Sequence, residues 1–353
     1  MRFSAGRNRC QSGFSLVEIM VAVVIGMLGV IVMMQVYALS EERKRTTTSG
    51  GDAMTEGITA LYALQRDIRQ GGFGFANTKL LGCGLELRSG VTLTALAPVT
   101  IYPAGAATPL IPAGDADTDA LLVVYGNANG SPQGDGITTQ PSQTQYAMQT
   151  PTAFSANDYV VAAPATRPTP CSLLLDRVGT VTNPNVTVGT GVTGMTNGTL
   201  FNLGQSPTVV AYAVRNGNLT MCNYMVNDCS AAANVADTSV WVPIANNIVS
   251  LRAQYGKDTT TPSMDGVLDT YNVVQPTSAC TWARTSAVRL ALVARSAQFE
   301  KTAVTAVAPT WDGSAGAAID LSANAEWQNY RYKVYQTVVP LRNVAWMGAV
   351  SGC

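Results

Sequence analysis

Residues Gly13–Glu18, with the sequence GFSLVE, open a long apolar run in which Glu18 is the only charged side chain. The run extends from residue 14 to residue 39, and its 26 residues exceed the roughly 20 that a helix needs to cross a bilayer. A charged side chain at the bilayer centre costs about 2.5–3.5 kcal/mol on insertion scales, and less near the interface, where Glu18 would lie. The pattern predicts a membrane-spanning helix whose one acid needs a functional reason.

A short basic leader precedes this run. Residues 1–13 contain Arg2, Arg7 and Arg9 and no acidic residue, which is typical of a targeting segment. In an ordinary secretory signal the small-residue cleavage site follows the apolar core, whereas Gly13 precedes it. Cleavage after Gly13 would remove the leader and keep the membrane helix. The alternative is a plain signal anchor that carries a Gly-Phe pair and an acid by chance.

The hexapeptide at residues 13–18 resembles the class III signal of type IV prepilins. The resemblance implies that a prepilin peptidase cuts between Gly13 and Phe14 and that the new amino group of Phe14 is methylated. Glu18 then becomes the fifth mature residue, the signature acid of that family. The Phe14 ammonium of one subunit could meet Glu18 of a neighbour in the filament and so support subunit assembly. At about 4 Å and an effective dielectric constant near 20, that attraction is on the order of 4 kcal/mol before desolvation.

Several later segments resemble the PilW class of minor pilins, and they occur at residues 66–73, 119–125, 158–161 and 338–343. The resemblance implies a minor pilin of a type IV pilus that helps initiate pilus assembly, lies at or near the tip, and supports twitching motility and adhesion. Two alternatives remain open, a type II secretion pseudopilin and a tip adhesin that binds a surface ligand. Residues 126–200 or so align with nothing.

The resemblance also implies partners and a location. The partners are the prepilin peptidase, the major pilin and other minor pilins, the inner-membrane assembly platform, the membrane itself and a possible tip adhesin. The chain would cross the bacterial inner membrane once before assembly and then reach the periplasm and the cell-surface pilus. Charge alone does not orient the span, because basic residues lie before it and again at residues 43–45.

Cysteine usage supports an extracytoplasmic domain. Loss of the leader would remove Cys10 and leave six cysteines, an even number that indicates disulfides in an oxidising compartment. Six cysteines allow 15 pairings, and we expect Cys222 and Cys229 to pair because they close a short loop. The last cysteine could staple the chain end to the domain, but the sequence leaves open the pairing of Cys83, Cys171, Cys280 and Cys353.

Composition argues against nucleic-acid binding, catalysis and cofactors. The 22 basic and 22 acidic residues cancel, so there is no bulk attraction to nucleic acid. The chain has no histidine, which excludes histidine-based triads and histidine metal ligands, and it has no phosphate-binding or dinucleotide-binding loop. We therefore expect no enzyme and no cofactor.

Two groups of acidic residues have spacings that could suit a metal ion. The Asp115–Asp119 segment begins like a calcium loop, but Ala120 and Gly126 stand where that loop requires Gly and Glu. A polar turn before a strand explains it better. The loop with Asp258, Asp265 and Asp269 is rich in oxygen ligands, and calcium binding there stays open against a turn with an Asp-Gly corner. We predict no metal site.

The fold class predicted is α+β. A long N-terminal helix, membrane-spanning in its first half, packs on an antiparallel β-sheet globular domain with long loops. The predicted boundaries are a leader at 1–13, a helix at 14–70 with its span at 14–39, and an extracytoplasmic β-rich domain at 71–353. Apolar residues continue at helical spacing after the span, at Met54, Ile58, Leu61 and Ile68. Gly71-Gly72 should end the helix, and Gly50-Gly51 should loosen it.

Predicted strands occupy 91–97, 120–125, 158–163, 208–215, 218–224, 247–255, 287–298 and 331–341. Asn216-Gly217 between two apolar runs predicts a hairpin with a type I′ turn. In the strand at 287–298 one face is apolar and the other mixed, which is typical of a sheet covered on one side. Loops are predicted at 126–145, 180–197 and 257–269.

Overall fold

The computed structural model describes Gly13 and residues 15–88, 90–106, 110–128 and 130–353. Contacts divide the chain into two units, Met1–Gly51 and Asp52–Cys353. The described residues form a long N-terminal helix and a mostly antiparallel β-domain, which confirms the predicted α+β class.

Helix α1 runs over Leu16–Gln70. Helical structure continues through Gly50 and Gly51, so the expected loosening there was wrong. The predicted end is confirmed, because Gly72 has a φ of 84°, a left-handed conformation that glycine adopts without steric cost. The Gly72 amide then donates to the Val124 carbonyl at 2.9 Å, which fixes the direction in which the chain leaves the helix.

The second half of α1 buries part of the predicted face. Ile68 is buried as predicted, whereas Met54 and Ile58 are 47% and 48% exposed, so the assignment of these two to the packed face was wrong. The buried positions of this half are Ala53, Gly57, Ala60, Leu64, Asp67 and Ile68. The first three are small residues, which hydrophobicity alone does not single out.

Gly57 packs directly against the side chain of Tyr335. A Cβ atom at Gly57 would lie 2.2 Å from the aromatic ring of Tyr335, far inside van der Waals contact. The neighbouring Glu56 carboxylate accepts a hydrogen bond from the Asn246 amide at 3.0 Å. These contacts set the position of the second half of α1 on its sheet.

The first sheet has eight strands in the order β2-β1-β8-β7-β10-β5-β6-β9. Their bounds are Gly84–Arg88 (β1), Val91–Leu93 (β2), Asp135–Ser142 (β5), Gln145–Met148 (β6), Tyr159–Ala163 (β7), Ser172–Thr182 (β8), Asn185–Val188 (β9) and Thr199–Gly204 (β10). Because β8 pairs with both β7 and β9, six of these strands close into a ring. The ring has its own hydrophobic cluster, which includes Ile137, Tyr146, Val160, Val186 and Leu200.

This ring overturns two predicted loops, 126–145 and 180–197, which contain β5, the first residue of β6, and β9. The strands are short and polar, and in β5 only Ile137 is buried. A small closed ring needs few inward apolar side chains from each strand, so their alternation is too weak to recognise. The predicted loop at 257–269 is confirmed beyond Lys257, since β15 starts only at Thr270.

The second sheet is antiparallel, with the strand order β13-β12-β11-β4-β3. Its strands are Val99–Tyr102 (β3), Ala120–Tyr125 (β4), Thr208–Arg215 (β11), Asn218–Asn223 (β12) and Val242–Ala245 (β13). The predicted β11–β12 hairpin is confirmed, and both turn residues have positive φ, 51° at Asn216 and 68° at Gly217. A type I′ turn requires that pair of angles.

The third sheet has the order β15-β14-β16-β17. Its strands are Ile248–Lys257 (β14), Thr270–Asn272 (β15), Thr285–Arg295 (β16) and Tyr332–Pro340 (β17), with short helices at Ala279–Ala283 (α2) and Arg342–Ala345 (α3). The expectation that one face of β16 stays uncovered was wrong, because Ala291 and Val293 are fully buried. The segment between β16 and β17 folds back over that face with Trp311, Ile319 and Leu321.

Replacement of Gly57 by leucine should destabilise the packed unit, because the new side chain overlaps the ring of Tyr335. Overpacking of this kind costs roughly 1–3 kcal/mol in the free energy of unfolding. Thermal unfolding followed by circular dichroism measures it in detergent-solubilised protein. The matched control is Thr59→Leu, because Thr59 is exposed on the same helix. Equal melting temperatures for the two variants would contradict this packing.

Candidate functional site

The beginning of α1 carries the candidate assembly residue. The Ile19 amide donates to the Ser15 carbonyl at 3.2 Å, so Glu18 lies in the first helical turn. A carboxylate there is favoured by the helix dipole, by about 0.3–1 kcal/mol. That small gain does not offset burial of a charge in a membrane, so helix stability alone does not account for Glu18. Phe14, the predicted cleavage and methylation residue, lies outside the described residues.

Gly13 is described, and packing does not explain its glycine. It is exposed, and a Cβ atom built on it would meet no atom of the described chain within 4 Å. The fold therefore tolerates a side chain at position 13. No contact within the described chain requires glycine at this position.

The segment Leu16–Glu41 is long and apolar enough to cross a membrane. Its large apolar side chains are all exposed within the chain, from 51% at Val21 to 76% at Met33. Each such side chain gains about 1.5–3 kcal/mol when it leaves water. This segment is therefore the largest surface of the described protein that calls for a lipid or protein cover.

A buried acid fixes the other end of α1. Asp67 is only 2% exposed, and its carboxylate accepts hydrogen bonds from the Tyr212 hydroxyl and from Arg66 Nε, the latter at 3.1 Å. A buried carboxylate is costly unless it is paired in this way. Burial, followed by the charge of Asp67, raises the pKa of Tyr212, so the hydroxyl stays protonated and donates. Asp67 thus ties the helix to β11.

A second contact closes the helix end. The side-chain amide of Asn343 donates to the carbonyls of Gln70 and Gly71, at 2.9 and 3.0 Å. The last carbonyls of a helix lack partners within it, and Asn343 supplies one. Sequence reasoning flagged residues 66–73 and 338–343 as segments but missed this contact. The sequence feature that could have pointed to Asp67 as an anchor is its position next to Ile68 on the buried face of α1.

The structure contains three disulfides, Cys83–Cys171, Cys222–Cys229 and Cys280–Cys353. Cys10 lies outside the described residues. The first and third close segments of 88 and 73 residues, and loops of that length gain about 4–5 kcal/mol in the chain-entropy account. Beside the third disulfide, Arg284 Nε donates a hydrogen bond to the Cys353 carbonyl oxygen at 2.7 Å. Cys353 is thus joined covalently to Cys280 and by a charged hydrogen bond to Arg284.

The acidic loop after β14 uses its carboxylates internally. Asp258 is 2% exposed and accepts hydrogen bonds from the amides of Thr260, Asp265 and Gly266. Burial would raise the pKa of Asp258, but these amides together with Arg284 outweigh burial and lower it. Asp269 in turn accepts from the Thr259 amide at 2.6 Å. Among the residues that the structure describes, no group of three or more acidic or cysteine side chains could hold a metal.

The other acidic segment also supports the fold. Both carboxylate oxygens of Asp115 accept amide hydrogens from the β11–β12 turn, Asn216 at 2.8 Å and Gly217 at 2.7 Å. Asp119 is buried and accepts from the Ala253 amide at 2.8 Å, which joins β4 to β14. Burial raises the pKa of Asp119, and its hydrogen bonds offset part of that rise. The segment is a structural turn, as its spacing indicated.

Comparison with protein families gives two matches. Residues 211–343 match the family described as Type IV Pilus-assembly protein W, and residues 8–34 match the Prokaryotic N-terminal methylation motif. No significant match was found among curated proteins or solved structures. The first matched range has Tyr212 near its beginning and Asn343 at its end, and these are the two side chains that hold the end of α1.

The contact between Asp67 and Tyr212 can be tested with a matched pair of tyrosines. Tyr212→Phe leaves a buried carboxylate with one partner fewer, and we expect a loss of about 1–3 kcal/mol in the free energy of unfolding. Tyr224→Phe is the control, because its equally buried hydroxyl has no hydrogen-bond partner among the described residues. Denaturant unfolding followed by near-ultraviolet circular dichroism compares them. A loss in Tyr224→Phe as large as in Tyr212→Phe would rule out this contact as the anchor.

Proposed function

We propose that this chain, a type IV prepilin-like protein of the PilW class, is a minor pilin that helps initiate assembly of a type IV pilus and lies at or near its tip. The observation that carries the proposal is an exposed apolar span whose one acid, Glu18, lies in the first helical turn. The role is structural rather than catalytic. Twitching motility and adhesion would follow from the pilus that the protein helps to build.

Processing comes first in this proposal. A prepilin peptidase cuts between Gly13 and Phe14 and methylates the Phe14 amino group. The open surroundings of Gly13 support a role in recognition, because nothing within the described chain requires glycine there. The cut leaves the apolar span in place, so the mature protein stays anchored in the inner membrane until it is assembled.

Assembly then uses the charge of Glu18. A single carboxylate in a bilayer is unfavourable, and a cationic partner from a neighbouring subunit removes that penalty. The new ammonium at Phe14 of the neighbour supplies that partner, with an attraction on the order of 4 kcal/mol at about 4 Å. The uncovered side chains of the span pack against neighbouring pilin helices once the subunit leaves the lipid.

The globular unit favours a place near the tip. The unit Asp52–Cys353 contains a closed ring of strands in addition to the two sheets that adjoin α1, and such bulk would crowd a helical shaft. Its three disulfides suit the oxidising periplasm and cell surface. The major pilin, other minor pilins and the inner-membrane assembly platform are the partners that this placement requires.

Replacement of Glu18 by alanine tests the proposal. In a strain that lacks the chromosomal gene, Glu18→Ala should reach the membrane and be cut normally, yet its amount in sheared pili should fall at least tenfold. Surface pili and twitching should fall with it, because the ion pair between subunits is lost. Immunoblots of membrane and pilus fractions, with a twitching assay, measure these effects.

The control is Glu86→Ala, which removes an exposed acid from β1 and should behave as the unchanged protein. Normal piliation and normal recovery of Glu18→Ala in pili would refute the assembly role. Failure of Glu18→Ala to be cut would show instead that Glu18 acts in processing.

A further inference from the structure

A polar cleft opens between the turn of the β11–β12 hairpin and the segment that follows Ile319. Its volume is about 470 Å³, and Asp115, Arg295, Asp320, Leu321, Asn324 and Tyr332 are among the residues that line it. The lining includes the two hairpin-turn residues, Asn216 and Gly217, together with residues 320–321 and 323–325. The cleft is large enough for one or two sugar rings and lies entirely within the unit Asp52–Cys353.

Arg295 is the unusual residue of this cleft. Its Nε is buried and has no hydrogen-bond partner among the described residues. The guanidinium stacks on the ring of Tyr330, with its central carbon 4.3 Å from the ring centroid, and Tyr330 rests edge-on against Phe299. The stack holds a planar set of donors in place without using them. Because Arg295 lines the cleft, the terminal amino groups of its guanidinium can donate to an anionic acceptor there.

The other groups that line the cleft can form hydrogen bonds with the hydroxyl groups of a ligand. Asp320 is exposed, and its hydrogen bonds with Ser322 lower its pKa, so it is an ionised acceptor at neutral pH. Burial raises the pKa of Tyr332 to about 12, so its hydroxyl stays protonated and can donate. Leu321 and the ring of Tyr332 provide apolar surface for the C–H face of a sugar ring. Donors, acceptors and apolar surface therefore share one cleft.

We propose that this cleft binds a carboxylate-bearing sugar, with the sugar carboxylate on the guanidinium of Arg295 and ring hydroxyls on Asp320 and Asn324. Arginine binds carboxylates through two parallel hydrogen bonds, which would satisfy the free donors. A phosphate group brings nearly two negative charges at neutral pH, so Asp115 and Asp320 would repel it more strongly than a singly charged carboxylate. A neutral sugar would offer Arg295 no charged acceptor.

This inference deepens the adhesion that we propose for the pilus, since acidic sugars occur on the surfaces to which a pilus tip could attach. Two common sources of that chemistry are nonulosonic acids and hexuronic acids. Binding to purified protein does not require pilus assembly. A negative result with Glu18→Ala would therefore leave the sugar site untouched, and the reverse also holds.

The test uses the full chain in a detergent without a sugar headgroup. Saturation-transfer NMR and calorimetry measure binding of N-acetylneuraminic acid, glucuronic acid and, as the neutral probe, N-acetylglucosamine. We expect one of the two acids to bind at least tenfold more tightly than the neutral sugar. Arg295→Gln should weaken that binding at least tenfold, and Asp320→Asn should weaken it severalfold.

The matched control is Arg289→Gln, on the same strand. Arg289 also stacks on a tyrosine, Tyr271, at 3.8 Å, but it lies outside the cleft lining. Its affinity for the acidic sugar should equal that of the unchanged chain. If Arg295→Gln unfolds, Arg295→Lys retains the charge without the planar donors, and its binding should still fall. Binding of neither acid, equal binding of the neutral sugar, or full binding by a folded Arg295 variant would each overturn the proposal.

Discussion

The apolar surface of the first half of α1 has no cover within the described chain, and this constraint governs the rest of the molecule. Every large apolar side chain from Leu16 to Leu39 is at least half exposed, and each would cost roughly 1.5–3 kcal/mol to keep in water. A lipid bilayer or a bundle of similar helices supplies the missing cover. Glu18 is the one charged side chain in this surface, and in the proposed assembly its charge selects a cationic neighbour among the possible apolar covers.

The second half of the same helix packs on the β-domain. Gly57 leaves room for the ring of Tyr335 in β17, and Asp67 and Asn343 fix the helix end by hydrogen bonds. The matched family range contains both Tyr212 and Asn343. The part of the β-domain that resembles the family is thus the part that holds the helix. The closed ring of strands lies wholly outside that range, in residues 135–204.

Local signals in the sequence predicted a large part of this fold. The Asn216-Gly217 turn, strand β4 and the end of α1 all depend on short-range rules of turn chemistry and periodicity. Long-range packing escaped prediction. The face of β16 is covered by a distant segment, and the ring strands are too polar and short to stand out.

The same division holds for the candidate sites. Gly13, Phe14 and Glu18 belong to one short motif, so the proposal for them could be made from the sequence alone. Arg295 meets Asp115 and Asp320 only through the fold, since the three come from separate elements, and no spacing rule brings them together. The anchoring of Asp67 by Tyr212 has the same character, because 145 residues separate the partners.

In the proposed assembly, removal of the leader gives an apolar helix that begins at Phe14, carries Glu18 and docks against neighbouring subunits. Mass spectrometry of the intact protein isolated from cells is the sharpest check of this step. We expect a chain that starts at Phe14 and carries one additional methyl group on its amino nitrogen. A chain that starts at Met1, or at any residue other than Phe14, would contradict it.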